Sequence, residues 1–589
     1  MTRNLYRPTR REFGGLAAGL GAFAAASAFG GTAKAATGNT QHLSSPPVLR
    51  GGRPNILFVF TDQERYRPRW PAGLDLPAHE RLMRTGVTFH NHHCPATMCT
   101  SSRSVLMTGL STVDNGMFEN CDMPYVKDLS PQVPTIGRML RGLGYYTAYK
   151  GKWHLNRGFD RNTRQLLTDE MEAYGFADYF HPGDIIGHTL GGYQFDHLVA
   201  GSAVSWLRRN GRPLADQGDP WALFVSLVNP HDIMYFNTDA PGEAVQDNGR
   251  LLSHAARAPE HALYRATWDD PVAATLREPM DSPGRPKAHG EFLRIWDYVL
   301  GHIPLEEARW RRFNDFYINS TRAVDAELHG LLQELDRLGL SDSTMIVFTS
   351  DHGEAGGAHG LHGKGPFAYR ETMHLPMYIV HPDAAGGDCR ALSGHIDLVP
   401  TLLSAAGASP ERIAELAGRE LPGRDMTALL GRPGAAAVDA LRPSVLFTYS
   451  GLATNDSEVF RLNAEAKGGG TPMEKLEQAG YRPDLGKRGS LRTVFDGRHK
   501  FSRYFAPVQH NRPESLDELY RWNDVELFDL EADPAETVNL AADRAANAAL
   551  IESMNGKLNA IIAAEIGADD GRELPELADI DWTIDRADL

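Results

Sequence analysis

The sequence predicts an α/β fold: a large mixed, mostly parallel sheet flanked by helices, followed by a small antiparallel sheet. Three observations predict it. Unbroken apolar runs end in polar residues, a long amphipathic helix separates two of those runs, and beyond residue 440 the runs become short and turn-bounded. An apolar run without alternation marks a strand buried on both faces, as in a parallel sheet covered by helices.

The chain opens on Thr9-Arg10-Arg11-Glu12-Phe13, an Ala/Gly-rich apolar stretch from Gly14 to Gly31, and Ala33-Lys34-Ala35. This reads as a twin-arginine export signal over 1–35 with a small-residue cleavage site. The stretch is short and Ala/Gly-dominated for a membrane span. The mature protein is therefore expected in the periplasm or outside the cell. Residues 36–52 are a polar, Gly/Pro-rich linker.

Residues 53–440 are expected to form the catalytic domain. Its first strand is Asn55-Ile56-Leu57-Phe58-Val59-Phe60-Thr61-Asp62, and Trp221 to Val228 is another, running into Asn229-Pro230-His231. From Asp232 to Arg294 the chain is polar and Pro-rich with no clean period, an insertion suited to substrate selection. A helix from about Glu306 to Leu338 carries Phe313, Phe316, Val324, Leu328, Leu331, Leu335 and Leu338 at helical spacing. Met345 to Asp351 repeats the pattern of the first strand. Ligands of such sheets bind off the carboxyl ends of the strands. Asp62, His231 and Asp351 each stand at such an end, so topology brings three distant segments together.

Residues 441–564 contain strand-like Ser444 to Thr448, Leu491 to Phe495 and Glu526 to Leu530, with a hairpin signal at Asp496-Gly497. They are expected to form a C-terminal α+β subdomain. The tail, 565–589, is acidic and is expected to wrap the surface or stay disordered.

A net charge of -15 over 589 residues argues against nucleic-acid binding. Positive charge for an anionic substrate must then be local to a pocket. The four cysteines, Cys94, Cys99, Cys121 and Cys389, are too few for a disulfide-built fold. Cys94 and Cys121 either pair in an oxidising compartment or are buried thiols.

The chemistry concentrates in three motifs. In Cys99-Thr100-Ser101-Ser102-Arg103 a cysteine and an arginine four positions on precede an apolar run ending in Thr108-Gly109. That is the pattern of a nucleophile at a helix start, where N–H groups and partial positive charge favour an anion. The second motif is Lys150-Gly151-Lys152-Trp153-His154; Lys152 suits an oxyanion and His154 can exchange a proton near neutrality. The third is Asp351-His352-Gly353-Glu354, followed by His359-Gly360-Leu361-His362-Gly363-Lys364. Asp62 and Asp351 offer oxygen ligands to a hard divalent cation, which would also relieve their mutual repulsion.

These motifs resemble the signatures of the type I sulfatases of the alkaline phosphatase superfamily, Cys-x-Pro-Ser-Arg and Gly-Lys-Trp-His. Ser101 stands in place of the family's proline, and Lys150 in place of a small or aliphatic residue. Asp62-Gln63, Asp351-His352 and Asn120 resemble the choline-sulfatase and phosphonate monoester hydrolase branch. The likeness runs from Pro54 to Gly407, including His395 to Thr401, and returns at Asp533-Pro534 and Asn539-Leu540.

The resemblance implies an alkaline-phosphatase-like fold and an arylsulfatase-like hydrolase of organic sulfate monoesters. It implies that a cytoplasmic formylglycine-generating enzyme oxidises Cys99 to formylglycine, whose hydrate attacks sulfur. Arg103, Lys152 and Lys364 would neutralise the sulfate oxygens, His231 with Lys364 would protonate the leaving group, and His154 would release sulfate. Asn120, His359 and His362 would line the substrate pocket. One divalent cation, Ca2+ first with Mn2+ or Mg2+ as alternatives, would be held by Asp62, Gln63, Cys99, Asp351 and His352. The ester could be aryl, choline, alkyl or carbohydrate sulfate. Two other readings stay open: a phosphate or phosphonate ester hydrolase, and an inactive sulfate- or glycan-binding homologue in which Ser101 blocks the modification.

Overall fold

The structure is a computed structural model that describes residues 53–159, 166–181, 183–184, 189–246, 255–465, 470–577 and 580. The export signal and linker expected over 1–52 lie outside the described residues, as does most of the tail beyond 577. The described residues fall in one compact unit, so the C-terminal sheet is not a separate body.

The main sheet has seven strands: β1 (Asn55–Asp62), β2 (Val87–Phe89), β3 (Tyr146–Gly151), β4 (Trp221–Pro230), β5 (Thr344–Ser350), β6 (Met377–Val380) and β7 (Gly387–Cys389). Their order is β3-β4-β1-β5-β6-β2-β7. β1 is central and parallel to both neighbours, with Phe58 opposite Phe224 and Val347. β3 joins β4 in parallel and β7 joins β2 in parallel, while β6 runs antiparallel to β5 and β2. The expected mixed, mostly parallel sheet is what forms.

The helices that carry the site or cover the two sheets include α1 (Cys99–Thr108), α2 (Gly191–Trp206), α3 (Lys287–Leu300), α4 (Glu307–Arg337) and α5 (Ala548–Glu565). Every residue of β1 is buried, because each face of the sheet is covered. Ile56, Phe58 and Phe60 pack into one core with Phe224 and Val347. Leu57 and Val59 face the other way, onto Val199, Ala203 and Trp206 of α2 and Leu328, Leu331 and Leu335 of α4.

The C-terminal sheet runs in sequence order, β8 (Val445–Tyr449), β9 (Ser490–Phe495), β10 (His499–Phe505) and β11 (Asp524–Asp529), all antiparallel. Gly497 takes the left-handed conformation, φ +94°, that the β9–β10 turn requires. One face of this sheet carries α5, with Ile551, Met554, Leu558 and Ile562 on Val494, Phe501 and Leu527. The other face packs Phe447, Leu491 and Tyr504 on Ala288, Met373 and Leu375 of the main body.

Two open alternatives resolve and one expectation changes. Cys94, Cys99, Cys121 and Cys389 are all buried free thiols, so Cys94 and Cys121 do not pair. The stretch after Glu565 is not loose as far as it is described: Asp569 and Glu573 pair with the buried Arg492. The expected insertion also contains the start of α3, whose buried Ala288, Phe292, Ile295, Trp296 and Val299 keep helical spacing. Among the described residues, no helix is long and apolar enough to cross a membrane.

Candidate active site

The ends of β1 and β5 place the two aspartates side by side. Gln63 takes a left-handed turn, φ +72°, directly after β1. Its backbone N–H donates to Asp351 Oδ1 at 3.1 Å, and Asp351 N donates back to Thr61 O at 3.0 Å. These two bonds stitch the strand ends together.

α1 delivers the candidate nucleophile. Cys99 is its first residue and Gly109, φ +68°, ends it in a left-handed cap. Residues four apart share a helix face, so Arg103 emerges beneath Cys99. Its guanidinium donates from Nη2 to Asp62 Oδ2 at 2.8 Å and from Nε to Asp351 Oδ2 at 2.9 Å. Nη1 donates to Lys152 O and Ser226 Oγ. All three nitrogens are thus engaged by the protein, and Arg103 is a strut under the site rather than the free sulfate-binding cation the sequence suggested.

The cations nearest Cys99 Sγ are lysines. Lys364 Nζ stands 2.7 Å from Cys99 Sγ and 2.9 Å from His352 Nε2; Lys152 Nζ stands 3.8 Å from Cys99 Sγ and donates to Asp62 Oδ2 at 2.7 Å. Burial and the Asp62 carboxylate raise the Cys99 thiol. Lys152, Lys364 and His352 outweigh them and hold it well below the ordinary thiol value. Burial likewise opposes ionisation of Asp62, but Lys152, His231, Lys364 and Arg103 keep it well below the usual carboxylate range.

Two histidines near Cys99 have opposite electrostatics. His154 sits in a strained left-handed conformation, φ +55°. Asp184 holds it there by accepting from Trp153 N and, at 2.6 Å, from His154 N. Its Nε2 meets Asp122 Oδ1 at 3.0 Å and its buried Nδ1 has no hydrogen-bond partner. Burial disfavours its charge, but Asp122 and the approach of Cys99 outweigh that and raise its pKa to about 9. For His231, burial dominates; with Lys152 and Lys364 opposing Asp62, its pKa falls to about 4.

A metal fits. Asp62, Cys99, Asp351 and His352 each present a ligand atom, all four atoms lie within 4.8 Å of one another, and all four residues are buried. Two carboxylates and an imidazole form a donor set suited to a divalent cation. Above Cys99 lies a cavity of about 60 Å³, bordered by Asn120, Asp122, His154, His231 and Lys364 among others. A wider cleft of about 570 Å³, bordered by Arg424, Arg442 and Lys557, contains none of the motif residues.

A sequence profile for the family described as Sulfatase matches residues 54–408. The chain belongs to the sulfatase family. This sulfatase is 26% identical to the N-acetylglucosamine-6-O-sulfatase of Bacteroides thetaiotaomicron over 405 residues, 62% of this chain and 70% of the relative. It is 26% identical to the choline-sulfatase of Rhizobium meliloti over 516 residues, 83% of each chain. In fold it resembles the phosphonate monoester hydrolase of Silicibacter pomeroyi, with TM-score 0.58 and 20% identity over 88% of this chain and 96% of that one.

Not every residue singled out in the sequence of this sulfatase reaches the cavity. His359 is buried elsewhere, with Nδ1 2.7 Å from Glu278 Oε2 and its ring stacked 3.6 Å from that of Tyr369. His362 packs among Trp296, Trp310 and Phe313. Neither borders the space over Cys99. The amide of Gln63, expected on the metal, donates to Glu354 Oε2 at 2.5 Å and accepts from Lys364 Nζ at 3.2 Å. Asn120 does reach the site; its Oδ1 accepts from Thr100 N at 3.3 Å.

Nothing in the sequence marks Asp122 or Asp184 as partners of the motif residues, and Glu354, though part of the third motif, had no role assigned to it. Asp122 and Asp184 lie in irregular segments without a period. Ser226 carried a faint signal, a lone hydroxyl within the apolar run of β4.

Proposed function

We propose that this enzyme hydrolyses an organic sulfate monoester, using Cys99 in its oxidised, formylglycine form. The observation that carries the reading is the pair of lysines, Lys152 and Lys364, around Cys99 Sγ at the buried start of α1. A formylglycine hydrate at position 99 supplies a hydroxyl nucleophile and a second hydroxyl through which sulfate can be discharged without outside water. A divalent cation held by Asp62, Asp351, His352 and residue 99 supplies Lewis-acid charge when bound.

The protein's own groups then have distinct tasks. Lys152 and Lys364 neutralise the non-bridging sulfate oxygens as charge builds. Arg103 fixes Asp62 and Asp351 in place. His231, neutral in the free site, works with Lys364, whose ammonium is the source of the proton given to the departing alcohol oxygen as the S–O ester bond breaks. His154, with Nδ1 free and Nε2 braced by Asp122, removes the proton that lets sulfate leave. Export through the twin-arginine signal, after oxidation of Cys99 by a cytoplasmic formylglycine-generating enzyme, belongs to the same reading.

The test compares kcat/KM for phenyl sulfate, phenyl phosphate and a phenyl phosphonate ester, alongside the mass of the Cys99 peptide. Sulfate turnover with a peptide that has exchanged sulfur and two hydrogens for one oxygen supports the reading. Phosphate or phosphonate turnover a hundredfold faster, or an unmodified peptide with no turnover, overturns it.

A further inference from the structure

We propose that Cys121, Asp122 and His154 form a second metal site, one that takes a thiophilic divalent cation such as Zn2+ and shuts the enzyme off when filled. Each of the three presents a ligand atom, these atoms all lie within 4.8 Å of one another, and all three residues are buried. The set shares no residue with Asp62, Cys99, Asp351 and His352.

The fold holds the three ligands together before any metal arrives. Thr100 Oγ1 accepts from Cys121 N at 3.2 Å and donates to His154 O at 2.8 Å, so one hydroxyl of α1 ties the two segments to each other. Asp184 fixes the turn that carries His154. Asp122 Oδ1 stands 3.0 Å from His154 Nε2. Two bonds of about 2 Å at the tetrahedral angle put zinc ligands roughly 3.3 Å apart, so a cation fits there with little movement. His154 Nδ1 is buried without a partner, which leaves the imidazole a nitrogen to spare. Cys121 is in no disulfide.

Sulfur separates this set from the first. With residue 99 as formylglycine, the first set offers only oxygen and nitrogen, whereas this one keeps a thiolate. Ca2+ and Mg2+ prefer oxygen; Zn2+ accepts sulfur, nitrogen and oxygen together. Binding sends the thiol proton of Cys121, and any proton on His154, to solvent. Three protein ligands leave a fourth tetrahedral position. Asp122 and His154 border the cavity of about 60 Å³ over Cys99, where a water completes the set. The loss of activity rests on the sulfatase reading, in which His154 removes a proton; with its lone pair and its Asp122 brace on a metal, it no longer does. The site itself stands on the geometry.

The test uses the full-length enzyme, saturated with the divalent cation that best supports phenyl sulfate turnover and then titrated with Zn2+. Crystals soaked in Zn2+ are measured at the zinc absorption edge. The expected result is an anomalous peak among Cys121, Asp122 and His154, with kcat falling about a hundredfold or more at saturation, the size of a lost general base. Cys121→Ser and Cys121→Ala should keep kcat/KM without zinc. They should weaken zinc inhibition by about tenfold to a hundredfold or more, since losing even an outer partner of a metal ligand costs that much. The wild-type anomalous map needs no variant to fold. A zinc peak only at Asp62, Asp351 and His352, undiminished turnover with zinc at Cys121, or equal inhibition in both folded variants overturns the inference and leaves the sulfatase reading standing. Zinc at Cys121 in an enzyme that turns over phosphonate esters alone supports the site and overturns the sulfatase reading.

Discussion

The Arg103 guanidinium donates to Asp62 at 2.8 Å, with both side chains buried, and the same planar group reaches Asp351 at 2.9 Å. One arginine therefore sets the separation of two carboxylates that would otherwise repel. Lysine carries charge but not the fork needed to meet both. Arg103→Ala should destabilise the fold by about 3–5 kcal/mol, since it strands buried charge. Arg103→Lys should recover part of that stability and little of kcat. Urea unfolding with steady-state kinetics checks both.

The high pKa of His154 makes a pH prediction. Its neutral form, needed to accept a proton, fills only as pH climbs through about 9. Asp122 supplies the largest opposition to burial in setting that value. Asp122→Asn removes it, so the rise in kcat with pH should move toward neutrality. A pH–rate profile in which the limb stays in place would remove His154 from this role.

A second buried imidazole braces the strand end. His79 bonds Glu64 Oε1 through Nε2 at 2.8 Å and Asp325 Oδ1 through Nδ1 at 2.6 Å, tying the turn after β1 to α4. Burial opposes its charge, but Glu64 and Asp325 raise its pKa to about 10. In the unfolded chain it titrates near 6.5. A raised folded pKa means stability that is complete below about pH 6.5 and lost as pH rises through about 10. His79→Gln should flatten the fall in unfolding free energy between pH 7 and 10, measured by urea titration across that range.

Chelation should act on stability and activity together. Dialysis against a chelator is expected to lower the thermal midpoint, because a ligand bound only by the folded state stabilises it. Activity should return with a divalent cation, and the ranking of Ca2+, Mn2+ and Mg2+ in that rescue identifies the metal. Asp351→Asn should lose the cation-dependent part of the midpoint shift.

Much of this was legible in the chain. The runs at Asn55–Asp62, Trp221–Pro230 and Thr344–Ser350 became adjacent parallel strands because burial on both faces demands unbroken apolar sequence. The meeting of Asp62 and Asp351 followed from strand-end topology, and the family resemblance added Cys99 and His352 to them. What stayed hidden depends on side-chain direction. His359 and His362 occupy a loop that passes near the site, yet one turns to Glu278 and the other into an aromatic cluster. The helical spacing in α3 was obscured by the Pro-rich stretch leading into it.

By itself the sequence determined the sheet, the helix that Cys99 opens, the family and the aspartates that meet at the strand ends, because local periodicity and short motifs encode those directly. Only the tertiary structure decided that Arg103 is held by Asp62 and Asp351 and that Lys364 stands nearer Cys99 Sγ than Lys152 does. Those outcomes rest on long-range hydrogen bonds and packing between segments hundreds of residues apart, such as Cys99 with Lys364 (|i−j| = 265), which local sequence does not encode.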